Sequence, residues 1–218
     1  MSTKHVAVVL AGCGVYDGSE IHEAVLSLLY LAKSGVTVSC FAPDIEQMHV
    51  VNHLTGQPVE EVRNVLVESA RIARGQVSPL SQANADDYDA LIVSGGFGVA
   101  KNLCSFAQDG AAMTINDEFL TFAKSFAKAH KPVGLMCIAP VLSAAIFGEG
   151  VRCTVGSDAD TASQVAITGA NHTQAGVKDI VIDESHNLVT TPAYMLGPDI
   201  AAVSVGIEKL IAEVLTRA

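Results

Sequence analysis

The sequence predicts an α/β fold, a mostly parallel sheet with helices on both faces, and three observations carry that prediction. Short β-branched runs alternate with longer amphipathic segments, as a parallel sheet covered on both sides requires. The strand-like runs end in small residues suited to a strand-to-loop exit. The chain is 218 residues long and 50% hydrophobic, enough for one large core.

Residues 6–10, Val-Ala-Val-Val-Leu, read as a buried first strand, followed by the turn Gly12-Cys13-Gly14 and a helix over about 19–33. Asp17 and Glu20 fit a capping box for that helix, and Gly35 fits its stop. Strands are expected at 36–41 and 90–93, the second running into Gly95-Gly96. The stretch 43–89 is longer than an ordinary connection and reads as an insertion on the sheet, with a helix at 59–74 and a polar loop at 78–87. A helix at 118–131 places Phe119, Phe122 and Phe126 on one face, a core pattern. A strand at 132–136, a helix at 138–147, strands at 179–182 and 187–191 and a helix at 198–216 complete a single domain over 1–218.

Composition excludes several classes of function. With 13 Lys+Arg against 23 Asp+Glu and a net charge of -10, there is no basic patch to neutralise nucleic-acid phosphates. The longest apolar stretches fall short of the ~20 residues that span a bilayer, so no membrane association is expected. The N-terminal residues lead directly into a strand pattern without a signal-peptide core, which gives a cytoplasmic expectation. Cysteines stand singly at 13, 40, 104, 137 and 153 with no CxxC pair, against a disulfide framework or zinc ribbon. The hydrophobic content gives an expectation of a homodimer.

Sites in open α/β sheets form beyond the carboxyl ends of the strands. The exit Met136-Cys137-Ile138-Ala139-Pro140 puts a cysteine where a strand stops and a helix starts, the topology of a nucleophile elbow. Helix N-terminal N–H groups there favour a thiolate and a lowered pKa; the alternative is a small buried residue. Glu20 and Glu23 lie three apart at the start of the first helix. Glu20 reads as a first-turn cap, whereas Glu23 lies past that turn among apolar neighbours and is the better proton carrier. At Ser94-Gly95-Gly96-Phe97-Gly98 the paired glycines offer backbone N–H donors, with the Ile138 amide as the other half of an oxyanion hole. Neither GxGxxG with an acidic partner nor a Walker A sequence is present. His49 and His53 are spaced i, i+4, but no HExxH occurs, so no metal is expected. His53 stays as a visitor from the insertion, while His172 and His186 read as surface residues.

These features, with the stretches Ala11–Glu20, Asn52-His-Leu-Thr-Gly56, Arg63-Asn64, Gly95–Asn102 and Thr190-Thr-Pro-Ala-Tyr-Met195, resemble the ElbB branch of the PfpI-like, class I glutamine amidotransferase-like superfamily along nearly the whole chain. The branch is named for enhanced lycopene, hence isoprenoid, biosynthesis. The resemblance implies a flavodoxin-like three-layer sandwich, a dimer and weak glyoxalase activity without a cofactor. It puts the nucleophile on Cys137, its carboxylate partner on Glu23, and backbone donors on Gly96 and Ile138. Gly95 stands with Gly96 and Ile138 as an oxyanion-hole backbone residue, and Glu20, Cys13, His53 and Asn102 stand as secondary candidates. Many superfamily members follow the cysteine with a histidine; here Ile138 takes that position, which sets peptidase and glutaminase chemistry apart.

The expectation is a cysteine-dependent conversion of a small aldehyde, glyoxal or methylglyoxal, to a 2-hydroxy acid. Two other readings stand beside it. One is a redox sensor or interaction protein in which Cys137 is oxidised or pairs with Cys13. The other is an amidotransferase-like hydrolase.

Overall fold

Short apolar runs, buried on both faces, form the central strands β1, β6 and β7 of the computed structural model, which describes residues 3–218. The chain proceeds through β1 (His5–Val9), α1 (Ile21–Lys33), β2 (Thr37–Ala42), a small hairpin of β3 (Val51–Asn52) and β4 (Gln57–Pro58), α2 (Val65–Ile72) and β5 (Val77–Pro79). It continues through β6 (Ala90–Val93), a π-helical turn at Val99–Leu103, α3 (Phe106–Asp109), α4 (Asp117–Lys128) and β7 (Val133–Met136). A 3-10 turn at Ala139–Leu142 leads into α5 (Ser143–Phe147), then β8 (Arg152–Cys153), α6 (Ala159–Ile167), β9 (Asn171–His172), β10 (Val181–Asp183), β11 (Leu188–Thr191) and α7 (Ile200–Arg217).

Seven strands make the central sheet in the order β10-β11-β7-β6-β1-β2-β5, all parallel except for β10 at one edge. Successive side chains of a strand point to opposite faces, and β1 divides accordingly. Val6 and Val8 pack with α1 and α7 through Ala24, Leu31, Val203 and Ile207, whereas Ala7 and Val9 pack with Leu91, Phe119 and Phe126 on the other face. This is a flavodoxin-like, three-layer α/β fold. The phenylalanines of α4 are core, as their spacing predicts: Phe122 stacks edge-on against Phe41, Tyr88 and Phe126. From β1 the chain runs outward through β2 to β5, then crosses back to β6 on the other side of β1. That reversal opens a crevice beyond the carboxyl ends of β1 and β6.

Four local expectations are corrected. The segment 43–89 supplies β5, which pairs parallel with β2 from Cys40 to Ala42, so it extends the sheet as well as adding the hairpin. Its helix occupies only Val65–Ile72, capped by Asn64, whose side chain accepts from Val67 N. The capping box does not form, because Glu20 is itself the N-cap of α1. The Asp17 carboxylate accepts from Val51 N at 2.7 Å and ties the 12–19 loop to the hairpin. The unassigned stretch after 150 forms β8, α6 and β9, clasped to the sheet where the buried Asp183 carboxylate accepts from Arg152 N at 2.6 Å. His186 is held by the same carboxylate at 3.0 Å and is half-buried.

Candidate active site

β7 delivers Cys137 into the crevice. Its N–H donates to Thr191 O at 3.0 Å, and its φ of 60 lies in the left-handed region, where a side chain other than glycine is strained. Backbone strain held in place by surrounding contacts is what a nucleophile elbow consists of. The helix expected at 138–147 begins as a 3-10 turn, and the α-helical part starts only at Ser143. Cys137 is 7% exposed, and that exposure opens onto a cavity.

Glu23 is the third residue of α1, inside its first turn rather than past it as the sequence suggested because the helix starts only at Ile21, and it is fully buried. One carboxylate oxygen accepts from Gly95 N at 2.8 Å and the other from Tyr194 N at 3.1 Å, and Cys137 lies beside the same group. Gly95 is required here for space. A Cβ at that position would lie 2.3 Å from Cys137 Cβ and 2.7 Å from Glu23 Oε2. Gly96, at φ 92, turns the chain so that its N–H and that of Ile138 donate toward the sulfur. The Tyr194 amide is aimed by a second strained residue, Ala193, at φ 44.

Burial pushes the Glu23 carboxyl up to about 7, helped by the negative Glu20 and opposed by the two backbone amides. The Cys137 thiol is held well above its ordinary value, first by burial and then by the charge of Glu23. The sequence expectation of a lowered thiol pKa is therefore corrected: a short 3-10 turn does not outweigh desolvation beside a carboxylate.

The structure brings together Cys137, Glu23, Gly95, Gly96, Ile138 and Glu20, and places the other three candidates elsewhere. Glu20 caps α1 by accepting from Glu23 N at 2.7 Å, and it also lines the cavity. Gly95 holds the carboxylate, so its amide is not an oxyanion donor. Cys13 lies outside the cavity wall; burial raises its pKa, as do Glu68 and Asp17, against Arg71. His53 bonds to Val51 O and Tyr16 N and stacks on Tyr16, outside the cavity. Asn102 pins loops together: its amide donates to Ala11 O and Asp17 O and accepts from Met48 N, all within 3.0 Å. Asn102→Ala leaves three backbone groups unpaired and is expected to cost about 3 kcal/mol, read as a lower melting temperature.

Tyr194 was not singled out by sequence reasoning, although it stands in the Thr190–Met195 stretch that carries part of the resemblance. Its ring lines the cavity, and its hydroxyl bonds to His22 Nδ1 at 2.7 Å. The cavity has a volume of about 380 Å³. Its walls come from the β1 and β6 loops, from α3 and from Thr161 of α6, and no histidine, lysine or arginine lines it. Among the described residues, no three His, Cys, Asp or Glu side chains form a group able to hold a metal ion, and no helix is long and apolar enough to cross a membrane.

A flavodoxin-like sheet with a strained cysteine at the exit of β7, facing a buried carboxylate across a Gly-Gly turn, is the arrangement of a class I glutamine amidotransferase-like protein, on a fold shared with ThiJ/PfpI and DJ-1 proteins. Solved structures share the fold: a ThiJ/PfpI domain protein of Brachyspira murdochii superposes with TM-score 0.62 at 18% identity, covering 100% of this chain and 99% of that one. No protein-family model matches the chain. The rat ES1 protein homolog, mitochondrial, is 47% identical over 220 residues, spanning 96% of this chain and 82% of that protein. The human glutamine amidotransferase-like class 1 domain-containing protein 3, mitochondrial, is 46% identical over the same shares. A crystal structure of an isoprenoid biosynthesis protein with an amidotransferase-like domain from Ehrlichia chaffeensis superposes with TM-score 0.92 at 38% identity, covering 99% of both chains. The chain belongs to the ES1 family of class I glutamine amidotransferase-like proteins, the ElbB-like branch of the superfamily.

Proposed function

We propose that this protein is a cysteine-dependent, glutathione-independent lyase of the glyoxalase type, acting on 2-oxoaldehydes such as glyoxal or methylglyoxal. The observation that carries the reading is the buried Cys137–Glu23 pair, with Gly96 and Ile138 N–H groups converging beside the sulfur.

The thiol adds to the aldehyde carbon, forming the S–C bond while its proton passes to Glu23 and on to the new hydroxyl oxygen. The N–H groups of Gly96 and Ile138 hold that oxygen as charge develops on it. Glu23, again a carboxylate, takes the C1 hydrogen as the enediol forms and returns it to C2, while the proton of the C1 hydroxyl passes to the C2 oxygen. The product is the thioester of a 2-hydroxy acid on Cys137. Water adds to it, the C–S bond breaks, and the sulfur regains its proton. The sum is 2-oxoaldehyde plus water giving a 2-hydroxy acid. A carboxyl group near pKa 7 is suited to accepting and donating in turn at neutral pH.

Cys137→Ser is expected to abolish methylglyoxal turnover in metal-free buffer, followed as lactate formation. Retention of full turnover in that variant would sink the assignment. A redox-sensor reading draws less support, because a thiol held protonated beside a carboxylate is a poor target for peroxide. An amide-hydrolase reading lacks a histidine at the cavity. We place the enzyme in a reducing compartment, the cytoplasm, on its five free cysteines; the mammalian relatives carry the word mitochondrial in their names. A link to isoprenoid biosynthesis rests on the name of the Ehrlichia protein.

A further inference from the structure

The cavity facing Cys137 is much larger and much less polar than a three-carbon dicarbonyl needs. Its volume of about 380 Å³ would hold about a dozen water-sized groups at ~30 Å³ each, so methylglyoxal fills less than half of it. Val15, Phe97, Ala100, Phe106, Ile138 and Met195 form half of the wall, all of it apolar. Its polar side chains are Cys137 itself, the Glu20 carboxylate, the Thr161 hydroxyl and the Tyr194 hydroxyl, which is committed to His22. No positive side chain lines it. Lys101 stands behind the ring of Phe97, 5.1 Å from its centroid, and its ammonium donates to Tyr16 O. An anionic substrate would meet Glu20 with no cation to pair, and a desolvated, unpaired charge is costly. Phe97 is 48% exposed, an apolar surface at the mouth that only an apolar occupant would cover.

We propose that the substrates of this site are uncharged carbonyl compounds carrying an aliphatic or aromatic group well beyond methyl, with that group seated against Phe97, Phe106 and Met195. The proposal rests on the Cys137 carbonyl chemistry above only for its reactive end. Carboxylated, phosphorylated or glutathione-bearing aldehydes are excluded by the same wall.

The test is a series of 2-oxoaldehydes RCOCHO, with R running from methyl through propyl to hexyl, read as kcat/KM. Each methylene buried against this wall is worth about three- to fourfold, so the hexyl compound, with five more methylenes, is expected to exceed methylglyoxal by on the order of 10²–10³-fold. An ω-carboxylated compound of equal length is expected to lose that gain. Ala107→Phe, which fills the cavity from α3, is expected to lower the hexyl-to-methyl ratio at least ~10-fold. A second readout needs no turnover: the protein has no tryptophan, so Phe97→Trp introduces a single indole at the mouth. Its fluorescence is titrated with unreactive ethanol, 1-hexanol and 1-octanol, and binding is expected to tighten with length. If methylglyoxal is turned over but neither kcat/KM nor alcohol binding rises with length, this inference is overturned and the lyase reading stands. If alcohol binding tightens with length while no 2-oxoaldehyde is consumed, the apolar pocket stands and the lyase reading falls. Failure of both readouts overturns both.

Discussion

Glu23→Gln is expected to lose methylglyoxal turnover by about 10²–10⁴-fold, the range for removing a positioned acid–base group. In the same variant Cys137 is expected to alkylate faster with iodoacetamide at pH 7. The two effects have opposite signs for one physical reason. The carboxylate takes the proton during reaction, yet its negative charge also helps to hold the thiol protonated at rest. Removing the charge therefore frees thiolate while removing the proton carrier. Peptide mapping of all five cysteines reads the second effect; Cys40, Cys104 and Cys153, each pushed up to about 11 by burial, serve as internal references. If turnover survives in Glu23→Gln, the proton passes through another group. If alkylation of Cys137 is unchanged, the two side chains are not electrostatically coupled.

Stability is expected to depend on pH through the same carboxyl group. Its pKa is raised from 4.5 to about 7 in the folded protein, so the fold binds this proton more tightly than the unfolded chain does. The contribution is fully present below about pH 4.5 and is lost as pH rises through about 7. Its size is about 3 kcal/mol, on the order of 10 °C in melting temperature for a chain of this length. Asp183 acts in the reverse sense. Burial pushes it up, but hydrogen bonds from Arg152 N, Ser185 and His186 outweigh that and hold it well below the usual carboxylate range, so its contribution is lost on acidification. The Glu23 component is isolated by measuring wild type and Glu23→Gln side by side from pH 5 to 8. Wild type should gain on the variant toward acid pH, and a difference that stays flat would mean that Glu23 does not titrate in this range.

The layered architecture and the position of the cysteine were legible in the sequence because both are local signals. Apolar runs such as 90–93 and the Phe119, Phe122, Phe126 spacing report which side chains are buried, and small residues at strand exits report where the chain turns. The edge strand Val77–Pro79 was not legible, since three residues with one proline carry no period; its pairing with β2 makes it a strand. The clasp formed by β8, α6 and β9 was missed for a similar reason, its two strands being two residues each.

By itself the sequence determined the α/β class, the exit that presents Cys137 and the pair of carboxylates from which its partner comes. The preference for Glu23 over Glu20 was also legible, and the tertiary structure supplied its physical basis. Glu20 turns back to cap its own helix, while Glu23 is gripped by amides 72 and 171 residues away, at Gly95 and Tyr194. The raised thiol pKa, the duty of Gly95 to the carboxylate and the apolar wall around the sulfur are likewise tertiary facts. Each depends on burial and on contacts between distant segments, and desolvation is a property of the assembled core that no short stretch of sequence carries.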